Sequence, residues 1–350
     1  MSPRFLVVGA GGIGGVVASH LVAHGHDVTA LTNNPAIAAA IGEHGYRLRG
    51  EGVPSERVRG RAAASVTELV GPFDYVLLAT QPPQVEAAAR QVEHLVSDGG
   101  HVVCFQNGLC EERVAEIFGA ERVIGAIVAW GATMVEPGVY DRTSAGGFQL
   151  GHLDGRESEA LAHLGRALEC IGETTLTKNL RGARWSKLAI NAAISSLGTV
   201  GGDRLGVLMR KRHVRRLALE IMTETVHVAQ ALGVALEKVS GTLDLPWLAL
   251  TPADRAQTFG STSLFAKHAL LLAVGARYRR LRSSMLAAIE RGRVPAVDFL
   301  NGEVVRRGAD VGVPTPVNAA IRDFVLAIAD GRRASSRASL IELFEATRRV

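Results

Sequence analysis

The stretch Arg4-Phe5-Leu6-Val7-Val8-Gly9-Ala10-Gly11-Gly12-Ile13-Gly14 decides the fold of the first half of this chain. Its apolar run, residues 4–8, is typical of a buried strand, and it ends in a G-x-G-x-x-G pattern. A helical segment rich in small apolar residues follows to about His24, and residues 27–31 form a second strand-like run. A strand, a glycine turn, a helix and a strand within about 30 residues predict a dinucleotide-binding unit.

The glycines of this pattern have separate physical roles. Gly9 permits the tight turn, Gly11 lets the backbone approach a pyrophosphate, and Gly14 allows the helix to pack closely on the strand. The helix N-terminus also favours an anion. A purely structural glycine loop is the alternative, but the position between a strand and a helix favours binding. We therefore expect these residues to contact the cofactor: Gly9, Gly11, Gly12, Ile13 and Gly14.

The end of the second strand indicates which dinucleotide is bound. Enzymes that use NAD usually place an Asp or Glu here to hold the ribose diol. This strand ends instead in Leu31-Thr32-Asn33-Asn34, which carries no acid. A 2′-phosphate would not be repelled, and Thr32 and Asn33 can donate hydrogen bonds to it. The sequence therefore predicts NADP(H) as the cofactor.

The alternation of strands and helices continues beyond the first unit and then stops. Residues 75–79 and 101–105 are typical of buried strands, and residues 85–95 between them are helix-like, which predicts a parallel sheet covered by helices. From about Arg184 the chain consists of Ala- and Leu-rich segments with helical periodicity. We predict an α/β Rossmann-type NADP(H)-binding domain over 1–180 and a mainly α-helical substrate and dimerisation domain over 181–350.

Composition bounds the class of protein. The 350 residues exceed the usual size of one hydrophobic core, and the net charge is +5, with arginines clustered at 210–216 and 277–282. These clusters are typical of solvated helix faces, since no nucleic-acid module accompanies them. The 3 cysteines and 11 histidines show no metal-ligand spacing, and no apolar run is long enough to span a membrane. We expect a cytoplasmic protein without metal, nucleic-acid or membrane partners; the long helices are compatible with a homodimer.

Three further segments point to one family. They are Cys104-Phe-Gln-Asn107-Gly108, Arg184-Trp185-Ser-Lys187-Leu-Ala-Ile-Asn191, and Ser283-Ser284-Met285 followed by Val297-Asp298-Phe-Leu-Asn301-Gly302. Together with the glycine pattern, and in this order, they resemble the ketopantoate reductases, which are 2-dehydropantoate 2-reductases that use NADPH. The likeness spans about residues 4 to 330.

The resemblance implies roles for four side chains. Lys187 matches the lysine that acts as general acid or electrostatic activator at the substrate carbonyl, and Asn107 matches the asparagine between nicotinamide and substrate. Asn191 matches a substrate-binding asparagine, and Ser284 a serine that contacts the substrate carboxylate. Physical chemistry supports Lys187, because hydride arriving at a ketone leaves negative charge on oxygen that an ammonium stabilises. Lys187 and Asn191 are spaced i, i+4 and so share a helix face.

Each of these positions also has a structural alternative. Lys187 could extend over the core as a surface lysine. Asn107-Gly108 is a common turn after a strand. Ser283-Ser284 could cap a helix that continues through Met285 to Glu290. The resemblance favours the functional interpretation in each case.

The sequence departs from the family at two expected active-site positions. Gln81 stands where the family has a lysine that reaches the cofactor region, and we expect Gln81 to contact the cofactor. Ala296 stands where the family has a glutamate that holds the substrate hydroxyl. Such polar contacts decide selectivity, so the two departures put ketopantoate itself in doubt as the substrate. We expect a reductase of a 2-oxo acid or similar small carbonyl compound. The candidates are ketopantoate, another 2-oxo acid and an imine. The alternative is a catalytically degenerate NADP(H)-binding sensor.

One stretch, residues 241–282, is longer than its usual counterpart in the family. It carries Trp247, Phe259, Phe265, His268 and Tyr278. It leads directly into the Ser284 segment. Three interpretations stay open: a reshaped substrate pocket, an oligomer contact, or a plain surface helix.

Overall fold

The computed structural model describes residues 2–50, 57–238, 243–256 and 261–348. The chain divides into two compact units. The first comprises Met1–Gln106 and Cys110–Leu180, and the second comprises Asn107–Leu109 and Arg181–Val350. The first unit is α/β and the second is helical, which confirms the predicted fold class.

The described part of the first unit contains two sheets. Their strands are β1 (Arg4–Val8), β2 (Asp27–Leu31), β3 (Tyr46–Arg49), β4 (Arg57–Val58), β5 (Arg61–Ala63), β6 (Phe73–Leu78), β7 (Val96–Cys104), β8 (Val123–Val128), β9 (Ala132–Glu136), β10 (Val139–Arg142), β11 (Phe148–His152) and β12 (Thr174–Leu176). The larger sheet has the order β12-β11-β8-β7-β6-β1-β2-β5 and the smaller one β4-β3-β10-β9. The larger sheet is parallel except where β11 pairs with β8.

The apolar run that begins the chain is a central strand. β1 lies between β2 and β6, and Phe5, Leu6 and Val7 are fully buried. A strand covered on both faces reads as a continuous apolar run and not as an alternating one. The helices of this unit are α1 (Gly12–Ala23), α2 (Pro35–His44), α3 (Val85–Val92), α4 (Cys110–Phe118) and α5 (Glu159–Leu168).

Small residues let α1 pack closely within this unit. A Cβ added at Gly15 would lie 2.1 Å from the Tyr140 ring of β10. The Tyr140 hydroxyl donates a hydrogen bond of 3.1 Å to the Ala10 carbonyl. The smaller sheet is thereby fixed against the start of α1.

The second unit consists of helices in its described part. They are α6 (Leu180–Gly201), α7 (Leu205–Leu208), α8 (Arg212–Ala231), α9 (Leu245–Leu248), α10 (Pro252–Ala256), α11 (Thr262–Arg277), α12 (Ser284–Glu290), α13 (Asn301–Asp310), α14 (Pro316–Ala329) and α15 (Arg337–Thr347). Trp185 and Leu197 of α6 and Val226 of α8 are fully buried in one hydrophobic cluster of this unit. The helical periodicity of the sequence therefore reflects one apolar core.

A buried polar network ties four of these helices together. Glu224 of α8 accepts hydrogen bonds of 2.8 Å from the Val317 and Asn318 amides at the start of α14, where a carboxylate suits the helix dipole. The Asn318 side chain donates to Glu224 at 2.7 Å, and the Asn301 amide donates to Asn318 at 2.9 Å. Asn301 also donates to the Ala192 carbonyl of α6 at 3.2 Å. Asn301, part of the family-like motif, is thus a structural residue.

In the described part of the longer stretch, residues 243–256 and 261–282, a buried ion pair joins two helices. Lys267 of α11 lies 2.7 Å from Asp254 of α10, and both side chains are almost fully buried. Lys267 also donates to the Ala249 carbonyl at 2.7 Å, and Ser261 donates to Asp254 at 2.6 Å. Burial alone raises the pKa of Asp254, but the hydrogen bonds from Lys267, Ser261 and Thr251 outweigh it and hold that pKa well below its usual range.

The aromatic residues noted in this stretch lie mostly on its surface. Trp247, Phe265 and Tyr278 are exposed, and His268 is half-buried. Phe259 lies outside the described residues. The apolar residues that this stretch buries are leucines instead, among them Leu245, Leu248 and Leu264.

Candidate active site

The glycine turn leaves open space at the start of α1. Gly9 has a φ of +102°, and its amide donates to the Leu31 carbonyl at 2.8 Å. A Cβ added at Gly11, the N-cap of α1, would meet no atom within 4 Å, whereas one at Gly14 would lie 2.0 Å from the Gly9 carbonyl oxygen. Gly11 itself has no side chain to cap α1. The first amides of a helix have no partner within it, so this turn fits a pyrophosphate group.

The end of β2 presents hydrogen-bonding groups without a carboxylate. The Thr32 hydroxyl accepts from the Asn34 amide at 3.3 Å and keeps its own proton to donate. The Asn34 side chain caps α2 by accepting from the Ala36 amide at 3.0 Å. The Asn33 side chain is exposed. Thr32 and Asn33 therefore remain the groups suited to a 2′-phosphate.

The carboxyl ends of β6 and β7 adjoin the glycine turn within the first unit. A Cβ added at Gly9 would lie 2.9 Å from the Thr80 amide nitrogen. Gln106, after β7, donates to the Thr80 hydroxyl at 3.3 Å. Gln81 follows with an exposed side chain and an extended backbone, and its carbonyl accepts from the Gln84 amide at 2.9 Å. Gln81 thus lies at the strand ends where parallel sheets bind ligands.

Asn107 follows β7 in sequence but groups with the second unit. Leu109 belongs to the hydrophobic cluster of that unit. Gly108 has a φ of +93°, and a Cβ added there would lie 2.5 Å from the Phe299 carbonyl oxygen. The turn that Gly108 forms after β7 is therefore compatible with a role for Asn107 in the site. The four side chains expected to act on the substrate therefore all belong to the second unit. Asn107 groups with that unit although it precedes residue 180 in the sequence.

Lys187 and Asn191 lie on the half-buried face of α6. Both side chains are of intermediate exposure, while Ser186 and Leu188 are buried. The Asn191 Nδ2 atom is buried and has no hydrogen-bond partner within the described residues. A donor in this state costs free energy unless a ligand pairs it.

Ser195 continues the same face at i, i+8 from Lys187, and sequence reasoning missed it. Its side chain is half-buried. The signal that could have found it is the four-residue spacing from Lys187 through Asn191. Ser195 therefore joins the candidate site residues.

Ser283 and Ser284 have different roles in the structure. Ser283 is the buried N-cap of α12, and its hydroxyl accepts from the Leu286 amide at 3.2 Å and donates to the Ser195 carbonyl at 2.8 Å. A Cβ added at Gly198 would lie 2.9 Å from the Ser283 Cβ atom. Ser284 is the exposed first residue of the helix. Ser283 is therefore the helix cap. Its contacts with α6 fix the start of α12, from which Ser284 projects.

Asp298 does not replace the carboxylate that the family has at the position of Ala296. Ala296 begins a 3₁₀ turn, Ala296–Phe299. Asp298 in this turn is exposed and forms an ion pair of 2.5 Å with Arg322. The departure at Ala296 therefore stands uncompensated by Asp298.

Within the described ranges, no group of three or more His, Cys, Asp or Glu side chains is arranged to hold a metal ion. Among the helices of the described residues, none combines the length and apolar character that crossing a bilayer requires.

Relatives cover nearly the whole chain. The 2-dehydropantoate 2-reductase of Pyrococcus horikoshii is 26% identical over 317 residues, which cover 90% of this chain and 94% of the relative. That of Mesorhizobium japonicum is 26% identical over 348 residues, covering 93% of this chain and 98% of the relative.

Solved structures share the fold. The PanE/ApbA family ketopantoate reductase of Ralstonia eutropha JMP134 has a TM-score of 0.78 at 24% identity and covers 95% of this chain and 100% of its own. A D-mandelate dehydrogenase in complex with NADH and anilino(oxo)acetate has a TM-score of 0.78 at 20% identity, covering 94% and 99%.

Family models match both halves of the chain. The model described as ketopantoate reductase PanE/ApbA matches residues 5–155, and the model of its C-terminal part matches residues 179–329. These matches confirm the resemblance found in the motifs. The chain therefore belongs to the ketopantoate reductase family of NADP(H)-dependent oxidoreductases that act on a carbonyl group.

Proposed function

We propose that this protein reduces the carbonyl group of a small 2-oxo acid with NADPH, and that ketopantoate is one candidate among several such acids. Residues 1–180 would bind the dinucleotide, and residues 181–350 with Asn107 would bind the substrate. When bound, the cofactor supplies the hydride. The protein's own residues bind the substrate, orient it and stabilise the charge that develops on its oxygen.

Lys187 is the proposed acid. Its half-buried position on α6 strengthens the attraction between its ammonium group and a developing oxyanion, because solvent screens it less than an exposed lysine. The same group can transfer a proton to the oxygen. Asn107 would orient the carbonyl, and the exposed Ser284 hydroxyl would donate a hydrogen bond to the substrate carboxylate.

The Asn191 side chain carries this proposal. Its Nδ2 atom is buried without a partner among the described residues, on the helix face that also presents Lys187. An unpaired buried donor costs about 1–3 kcal/mol. A substrate oxygen that accepts from Asn191 would remove that cost in the complex. The arrangement therefore suits a substrate with several oxygen acceptors, as a 2-oxo acid has.

Ala296 removes a contact on which the choice of substrate would depend. A family glutamate at this position would accept a hydrogen bond from a substrate hydroxyl, and a site built for such a contact rejects analogues that lack the hydroxyl. Alanine cannot make this contact. We therefore expect 2-oxo acids without that hydroxyl to be turned over at least as well as ketopantoate.

The test is NADPH oxidation against a panel of 2-oxo acids that includes ketopantoate, with NADH in a parallel series. We expect turnover of at least one acid and a preference for NADPH. Tight NADPH binding with no turnover of any acid would favour the sensor alternative, which the departures at Gln81 and Ala296 motivate.

We also predict the oligomeric state and the cellular location of the protein. A homodimer formed through residues 181–350 would give twice the monomer mass in light scattering of the purified protein. A cytoplasmic location would place the activity in the cytoplasmic fraction of the cell.

A further inference from the structure

The second unit contains a cavity of about 930 Å³ that the proposed reaction does not use. One face of α8 forms its floor, and its walls come from α10, α11, α15 and the segment that leads into α14. Lys187, Asn191 and Ser284 do not line it. Its volume is within the range of cavities that bind small organic molecules.

The lining of this cavity carries an excess of positive charge. Arg212, Arg216, Arg255 and Arg348 line it, and Glu220 and Glu224 are its acidic residues. Glu220 pairs with both Arg216, at 2.8 Å, and Arg255, at 2.9 Å. Glu224 is committed to the start of α14 by hydrogen bonds of 2.8 Å.

Two of these arginines are available to a ligand. The side chains of Arg212 and Arg348 form no ion pair with a residue that the structure describes, and both are exposed. Guanidinium groups bind the oxygens of phosphate and carboxylate in a bidentate manner. The cavity therefore offers two unused anion-binding groups.

His268 of α11 also lines this cavity. Its Nδ1 atom is buried and has no hydrogen-bond partner among the residues described. Burial, and then the charges of Arg215, Arg212 and Arg216, lower the pKa of His268 to about 4. The contribution of the three arginines to this shift reflects a positive potential around the imidazole, and such a potential attracts an anion.

Much of the remaining lining is apolar, and His213, His227 and Thr347 are its other polar residues. Leu217, Leu264, Val317 and Phe344 contribute to the walls. An inorganic ion would leave these surfaces in contact with water. A ligand with an apolar or aromatic body would cover them.

We propose that this cavity binds a small phosphate ester with an apolar or aromatic body. The phosphate would bind Arg212 and Arg348 and accept a hydrogen bond from the neutral imidazole of His268, and the body would lie against Phe344 and Leu217. A phosphate dianion suits the site better than a carboxylate, because its three free oxygens can pair with more donors and its charge balances the two arginines.

The direct test uses 1-naphthyl phosphate as the probe, titrated by calorimetry into the full-length protein saturated with NADPH. We expect saturable binding of one equivalent that weakens as salt is added. 1-Naphthoate and inorganic phosphate, titrated in parallel, should each bind at least tenfold more weakly. Absence of binding, or equal binding of the naphthoate, would overturn the proposal.

Matched variants locate the site. The double variant Arg212→Gln/Arg348→Gln should bind the probe at least tenfold more weakly. The control Arg280→Gln/Arg293→Gln removes the same charge from exposed arginines outside the cavity lining and should bind within twofold of the wild type. An equal loss in both doubles would mean general charge attraction and would contradict the assignment.

A spectroscopic readout does not depend on the stability of these variants. In the wild-type protein, the imidazole NMR signals of His268 should shift as the probe saturates, and these signals should be missing from the His268→Phe spectrum. Saturable binding that leaves the His268 signals unmoved would place the probe elsewhere and would overturn the proposal.

Discussion

Replacement of Asn191 by leucine should make the protein more stable and less active at the same time. The Asn191 Nδ2 atom is buried without a hydrogen-bond partner among the described residues. Leu188 and Ala192, nearby on the same helix, are buried and apolar. Leucine has a similar size and removes the unpaired donor. The same change removes the group that we propose binds the substrate.

The structure sets the size of both effects. An unpaired buried donor costs about 1–3 kcal/mol. For units of roughly 150–250 residues, 1 kcal/mol shifts the Tm by about 2–4 °C. We therefore expect the Tm of the second unit to rise by about 2–12 °C. A lost hydrogen bond to a charged substrate is worth about 1.5–3 kcal/mol, so kcat/KM should fall by roughly ten- to hundredfold.

The assay combines calorimetric unfolding with NADPH oxidation, and the matched control is Asn301→Leu. Asn301 is a buried asparagine whose Nδ2 atom donates to Ala192 at 3.2 Å and to Asn318 at 2.9 Å. Its replacement breaks both bonds and should lower the Tm. A fall in Tm for Asn191→Leu that matches the control would mean that Asn191 is a structural residue, and this would refute the reasoning.

Three further changes test other parts of the structure. Asn33→Asp places a carboxylate where a 2′-phosphate is expected and should raise the Kd for NADPH about tenfold while leaving NADH unaffected, as fluorescence titration would show. Asp254→Asn leaves Lys267 buried without its partner and should cost about 3–5 kcal/mol at neutral pH, measured by urea unfolding. Because folding depresses the pKa of Asp254, its contribution is present above the ordinary value of 3.8 and is lost as the pH falls below it, so wild type and variant should converge in acid. Gly198→Ala places a Cβ 2.9 Å from Ser283 and should raise the KM for the 2-oxo acid several-fold with NADPH affinity unchanged, whereas an unchanged KM would separate Ser284 from substrate binding.

Local patterns predicted the start of the fold closely. The strand at 4–8, the helix from about residue 13 and the strand at 27–31 correspond to β1, α1 and β2. Each of these signals lies within a few residues of sequence: an apolar run, a glycine turn and a glycine stop. The second, smaller sheet was not predicted, because β3 pairs with β10 across some ninety residues and neither strand carries a long apolar run.

The candidate site was only partly visible for the same reason. Lys187 and Asn191 share a helix face through their spacing, which the sequence shows directly. The grouping of Asn107 with the second unit depends on the contact of Gly108 with Phe299, which is distant in sequence. The burial of Asp254 and Lys267 was also invisible, since isolated charged residues usually indicate a solvated surface.

The most direct measurement compares wild type and Lys187→Ala for NADPH oxidation with the best 2-oxo acid, together with NADPH affinity measured by fluorescence. We predict that kcat falls by about a hundredfold or more, as expected for loss of a general acid, while the Kd for NADPH stays within twofold. A variant that keeps the wild-type kcat would contradict the account.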